Sequence, residues 1–144
     1  MENNTLIIKK TINAPIEKVF MAWTEKDAIE AWYGPEGMTT TVEVLDLKIG
    51  GAYRFAMKAP DGVHVVSGVF KEINSPKRVS FSWHWEGSTE DETTLVVVDL
   101  VPNDDKTTEL TITHSGFKKM TGKMQSLESH KMGWTSSFNK LAKI

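Results

Sequence analysis

The stretch Met120–Leu141, MTGKMQSLESHKMGWTSSFNKL, decides how the rest of the chain is read. Apolar side chains fall at Met120, Met124, Leu127, Trp134, Phe138 and Leu141, spaced four, three, seven, four and three residues apart. That spacing lays them along one stripe of an α-helix. The missing step of the stripe is Lys131, with His130 beside it. Gly133 sits inside the helix, where it costs about 1 kcal/mol relative to Ala, and it predicts close packing against the backbone. An amphipathic helix must bury its stripe on something, and the preceding residues are expected to supply it.

They read as strands. Thr5 to Ile12 is β-branched and short, a first strand. Asn13-Ala14-Pro15 breaks it, with Pro15 placed for the first turn of a helix and Asn13 or Ala14 as its cap region. Val19, Phe20 and Trp23 give that helix an apolar side. Thr24 is a second cap candidate, ahead of Lys26 to Trp32, and Gly34-Pro35-Glu36-Gly37 ends the pair. From Met38 the period changes from 3.6 to 2, the spacing of a strand. Strands are predicted at Thr40 to Leu47, Ala52 to Lys58, Val63 to Ile73, Val79 to Trp85, Leu95 to Val101 and Glu109 to His114. Turn signals separate them, Gly50-Gly51 and Pro60-Asp61-Gly62 among them. Short turns predict an antiparallel meander. The expected fold class is α+β: a curved antiparallel sheet of about seven strands closed on a long C-terminal helix, with two short helices between strands one and two.

Bulk properties narrow the function. At 144 residues the chain is read as one domain, spanning 1–144, large enough to bury a core without staples. Net charge of −2 and a pI near 6.1 give no electrostatic case for nucleic acid. The absence of cysteine excludes disulfides, thiol catalysis and thiolate metal sites. With no basic start and no run of roughly 20 apolar residues, neither a signal peptide nor membrane insertion is expected, and a cytoplasmic location is the default. The four histidines lie on different elements without the i+3 or i+4 partner of a metal motif, so no metal and no cofactor is expected. Five tryptophans and seven methionines suit an adaptable apolar interior.

The order and punctuation of these pieces resemble the helix-grip fold of the START and birch-pollen-allergen superfamily, also called SRPBCC. Within it the chain is similar to the heat-shock-protein ATPase activator homologue (AHSA-like) group over nearly its whole length. The matching pieces are Asn13 to Phe20, Trp32-Tyr33-Gly34-Pro35, Asp46 to Gly51, Gly68-Val69-Phe70 with Ile73 and Pro76, Thr113 to Phe117, and Gly133-Trp134. The resemblance implies an elongated apolar cavity between the sheet and the last helix, in which relatives bind lipids, sterols, polyketides or other hydrophobic molecules. A few such relatives are cyclases, aromatases or hydrolases, and the group's namesakes contact a chaperone.

The aromatic and methionine set of the strands and last helix has two readings: core, or the lining of that cavity. As lining, the residues expected to meet a hydrophobic or amphipathic small molecule are Tyr53, Phe55, Phe81, Trp83, His114, Met124, Leu127 and Trp134, with Met57 and Trp85 in the wider set. His114 shares a strand face with Leu110 and Ile112 and points inward. It reads as a neutral core histidine, as a hydrogen-bond partner for a ligand's polar end, or as a general base. No nucleophile or orienting carboxylate is placed beside it by the sequence, so no catalytic residue is assigned and an enzyme is the less favoured reading. Lys131 is expected to snorkel to the cavity mouth or sheet edge, with pairing to an acidic ligand or Asp46 as the alternative. Asp46 is expected to accept turn N–H groups at the Gly50-Gly51 hairpin. A chaperone-interacting module and a cyclase- or hydrolase-type enzyme on an aromatic substrate stand as the alternatives to ligand binding.

Overall fold

A computed structural model of the chain describes residues 5–87, 93–116 and 127–143. Seven strands form one antiparallel sheet: β1 (Thr5–Ile12), β2 (Thr39–Leu45), β3 (Ala52–Ala59), β4 (Gly62–Asn74), β5 (Arg78–Trp85), β6 (Thr94–Pro102) and β7 (Thr108–Ser115). Their order across the sheet is β1-β7-β6-β5-β4-β3-β2, a meander in which only the first strand leaves sequence order to close one edge beside the last. Helices α1 (Ile16–Thr24) and α2 (Lys26–Trp32) bridge β1 to β2, and α3 (Leu127–Leu141) follows the sheet. This is the curved-sheet α+β architecture expected from the period-2 run and the final stripe, and it is the helix-grip fold that the resemblance implies.

Alternation places the core. In β5, Val79, Phe81 and Trp83 are buried, and their cross-strand partners Val98, Val96 and Thr94 on β6 are buried with them. Leu110, Ile112 and His114 on β7 continue the same inner face. Bulges between Val42 and Val44 on β2 and between Phe70 and Glu72 on β4 are the irregularities that bend a sheet around its contents. Gly68 stands where the β5 backbone leaves no room for a side chain: a Cβ there would lie 2.1 Å from the Ser82 carbonyl oxygen. Helices α1 and α3 pack on the concave side, with Trp23 against both Trp134 (5.8 Å between ring centroids) and Phe138 (6.2 Å). Among the described residues no helix is long and apolar enough to cross a membrane.

Local expectations differ from the structure at five places. Pro15 occupies the N-cap position itself, its ring-fixed φ of −65° leading into a helix that starts at Ile16. Thr24 does not cap α2. It is the buried last residue of α1, and its hydroxyl donates back to the Phe20 carbonyl at 3.0 Å, so Glu25 takes the junction. The turn N–H groups at the Gly50-Gly51 hairpin go to main-chain carbonyls, Lys48 N–H to Asp46 O and Gly51 N–H to Lys48 O. The Asp46 carboxylate instead lies 3.7 Å from the Lys48 ammonium. On α3 the buried polar step is His130, one residue before the expected break, and Lys131 is exposed. Finally, a Cβ on Gly133 would meet only the Pro35 ring, at an ordinary 3.8 Å, so backbone clearance does not require glycine there.

Candidate functional site

Four elements leave a cleft of about 430 Å³ between them, partly open to solvent. That volume lies within the range of small-molecule sites. One wall is the sheet: Trp83 and Trp85 project from β5 on the same face because His84 between them points the other way, and Met57 and His64 extend the wall on β3 and β4. Helix α3 supplies the facing wall through His130, Gly133, Trp134 and Ser137, spaced three, one and three residues apart on one side of the helix. The segment after α2, with Tyr33, Pro35 and Met38, forms a lip.

That lip is strapped to α3. Glu36 N–H donates to Ser136 Oγ at 2.7 Å, and the Lys140 ammonium reaches the carbonyls of Pro35 and Met38, each at 3.4 Å. Burial pushes the Lys140 pKa down, against the opposing pull of Glu36. Gly34 allows the chain to turn at the cleft's edge: its φ is +89°, and a Cβ would lie 3.0 Å from Thr40 Oγ1.

The polar groups behind the aromatic wall form one connected set whose proton positions follow from chemistry. An indole N–H can only donate. Trp134 Nε1 donates to His114 Nδ1 at 3.0 Å, so the neutral ring of His114 carries its proton on Nε2. That proton points at Thr94 Oγ1, 2.6 Å away, and the threonine hydroxyl passes its own to the Trp83 carbonyl at 3.2 Å. The same reasoning fixes His130. Trp85 and Trp83 both donate to its Nε2, at 2.9 and 3.2 Å, which makes that nitrogen the acceptor and places the ring proton on Nδ1. The two imidazoles meet edge to face, 4.9 Å apart. Burial, with His130 adding to it, holds the His114 pKa well below the ordinary histidine value. A neutral, doubly engaged His114 is thereby the stable state.

Of the residues named from sequence, Trp83 and Trp134 border the cleft, as do Met57 and Trp85 of the wider set. His114 lies directly behind them, fully buried, with its ring 5.5 Å from that of Trp83 and 6.2 Å from that of Trp134. Tyr53, Phe55 and Phe81 are brought together elsewhere. With Trp23, Tyr33 and Phe70 they enclose a void of only about 10 Å³, deeper in the molecule, at ring separations of 4.8 Å (Tyr53 to Phe55) and 5.4 Å (Tyr53 to Phe81). The Trp23 indole N–H and the Tyr33 hydroxyl are buried in this aromatic core without a hydrogen-bond partner among the described residues. Met124, like Met120, and the side chain of Leu127 lie outside the described residues.

Sequence reasoning did not single out Tyr33, Pro35, Met38, His64, Met132 or the serines of α3 as lining. The lip residues come to the cleft only through the packing of α2 against α3, which no local periodicity encodes. His130 did carry a signal: its spacing of four to Trp134 and eight to Phe138 puts it on the stripe. Among the described residues no group of three histidine, aspartate or glutamate side chains is arranged to hold a metal ion.

Comparison with known proteins places this geometry. The chain is similar to a protein from Chromobacterium violaceum of known structure, with 25% identity, a TM-score of 0.83 and coverage of 98% of this chain and 96% of that one. An AHSA1 protein from Silicibacter pomeroyi is also 25% identical, with a TM-score of 0.77 and coverage of 96% and 95%. An AHSA1-like protein from Aeromonas hydrophila is 24% identical, with a TM-score of 0.77 and coverage of 96% and 90%. No curated protein matches the chain. Residues 13–144 match the model of the family described as Activator of Hsp90 ATPase homolog 1-like protein, and the chain belongs to that family.

Proposed function

We propose that the protein binds a hydrophobic or amphipathic small molecule in the cleft between the sheet and α3. The observation that carries this reading is a cleft of about 430 Å³ walled by Trp83, Trp85, Trp134 and three methionines, with two imidazoles in or behind that wall. An apolar body displacing water from such a surface gains roughly 25 cal/mol for each Å² buried. The indoles and imidazoles supply the few placed polar groups that orient a ligand.

The test is thermal denaturation with a panel of alkyl, polycyclic and aromatic compounds. A ligand at about 100 times its Kd stabilises the native state by about 2.7 kcal/mol, several degrees in melting temperature for a chain of this size. The reading predicts such shifts for apolar members of the panel, and their reduction when Trp85→Ala opens the wall. If no member of a broad panel shifts the midpoint, the reading is wrong.

The family description favours a second reading, contact with an Hsp90-type chaperone. Ile7 on β1 and Val101 on β6 are about 60% exposed on the outer face of the sheet, and Leu95, six residues before Val101 on the same strand, is exposed on that face as well. They would provide an apolar contact away from the cleft. Purified chaperone binding the native protein, and losing affinity for an Ile7→Lys variant that still binds cleft ligands, is the expected result. Absence of any binding removes this reading.

A further inference from the structure

Resting on the cleft-binding reading, we propose that the ligand is uncharged and carries a hydrogen-bond acceptor oxygen, a carbonyl or ether on an apolar body, received by the indole N–H of Trp83. Two independent features of the wall lead to this class.

The first is a mismatch of donors and acceptors. An imidazole nitrogen presents one in-plane lone pair. Two indole N–H groups converge on the lone pair of His130 Nε2, Trp85 at 2.9 Å and Trp83 at 3.2 Å. Trp85 holds the shorter bond, so Trp83 is the weaker claimant. The residue as a whole is 3% exposed and borders the cleft. The third indole of the group, Trp134, is already matched to His114 Nδ1 at 3.0 Å. An acceptor oxygen entering the cleft relieves the shared lone pair at His130 and completes Trp83. A ligand bearing only donors meets a wall already crowded with them.

The second feature is that the described residues bring no compensating charge to the cleft. Among the described residues bordering the cleft there is no lysine, arginine, aspartate or glutamate. His64 stands at the rim with its Nε2 3.2 Å from the exposed carboxylate of Asp61. The Lys140 ammonium is directed at main-chain carbonyls of the lip, and Glu36 is engaged with Ser136 and Asn139. Neither counterion is available to a head group inside. Burying an ionised group without a partner is costly, whereas a neutral carbonyl needs only one donor.

The experiment compares four compounds built on one ring system with the native protein at neutral pH: naphthalene, acetylnaphthalene, naphthoate and naphthylmethylammonium. Affinities are read by titration, and indole N–H signals by heteronuclear NMR. Acetylnaphthalene is expected to bind roughly three- to tenfold more tightly than naphthalene, the worth of one neutral hydrogen bond, and at least about tenfold more tightly than either ion. The Trp83 indole N–H is expected to move with acetylnaphthalene and to move less with naphthalene. Trp83→Phe, which keeps an aromatic ring, should reduce the advantage of the ketone to about unity. Should that variant not fold, the Trp83 signal in the unmodified protein decides the same point. Naphthoate or the ammonium matching the ketone, or naphthalene equalling it, overturns the inference while leaving cleft binding intact. Failure of all four to bind removes the cleft-binding reading and this inference with it.

Discussion

Acidification should weaken the fold through His114, and the size of the effect follows from its surroundings. The ring is fully buried, its Nδ1 accepts from Trp134 and its Nε2 proton serves Thr94. A second proton would have to sit on Nδ1, facing an indole N–H that cannot accept it. Burial and His130 together depress the folded-state pKa well below 6.5, while the unfolded chain titrates near that ordinary value. The sign follows: above about pH 6.5 neither state binds the proton, and below it the unfolded state binds more, so stability falls as pH falls. With the folded ring still neutral at about pH 5.5, the loss from this one group is about 1.4 kcal/mol. Urea denaturation at about pH 7.5 and 5.5 measures it; with a slope near 1–2 kcal/mol/M the midpoint should drop by roughly 1 M. The control is His114→Phe, which lowers stability at both pH values by leaving the Trp134 N–H unpaired but removes this share of the pH dependence. Glu30, Glu86 and Asp104, whose carboxyl pKa values are held low, lose their contributions only in stronger acid and do not confound the window. Equal pH dependence in the two proteins would refute the account of His114 as a neutral ring locked between donor and acceptor.

Three further substitutions probe the same framework by denaturation. Thr94→Val removes the hydroxyl that faces the buried Nε2 proton of His114 at 2.6 Å and should cost about 1–3 kcal/mol. Tyr33→Phe removes a buried hydroxyl that has no partner among the described residues and should be neutral or stabilising by up to about 1 kcal/mol; a clear loss would mean that the hydroxyl is satisfied. Gly133→Ala adds a Cβ at ordinary contact distance from Pro35 within a helix and should stabilise by about 0.5–1 kcal/mol, whereas a loss would show a backbone approach closer than the structure describes.

The strands were legible because their inner faces alternate so cleanly. Val79, Phe81 and Trp83 announce β5, and the turn glycines and prolines fix where each neighbour begins. The two short helices were legible from Pro15 and from the apolar sides around Phe20 and Ile29. The phase of α3 was half legible. Counting from Leu127 in steps of four lands on Lys131, and only counting back from Trp134 lands on His130, the residue that is buried. Gly133 misled because a helical glycine signals close packing on average, and here a Cβ would meet only a proline ring at ordinary contact distance. The cleft was the least legible part. Tyr53, Phe55 and Phe81 share a strand-face pattern with Trp83, and pattern alone does not distinguish rings that fill a core from rings that wall a cleft. That distinction depends on where α2 and its lip come to rest against α3, through contacts roughly one hundred residues apart such as Glu36 to Ser136.

The most direct measurement follows the indole N–H signals while an uncharged apolar ligand is titrated into the native protein. Trp83, Trp85 and Trp134 border the cleft, whereas Trp32 is fully buried with its N–H bonded to the Ala22 carbonyl at 2.7 Å. Saturable shifts of the three cleft indoles, with Trp32 unmoved, are the predicted result. No saturable shift, or shifts confined to Trp32 and residues of the outer sheet face, would contradict the assignment of the cleft as a ligand site.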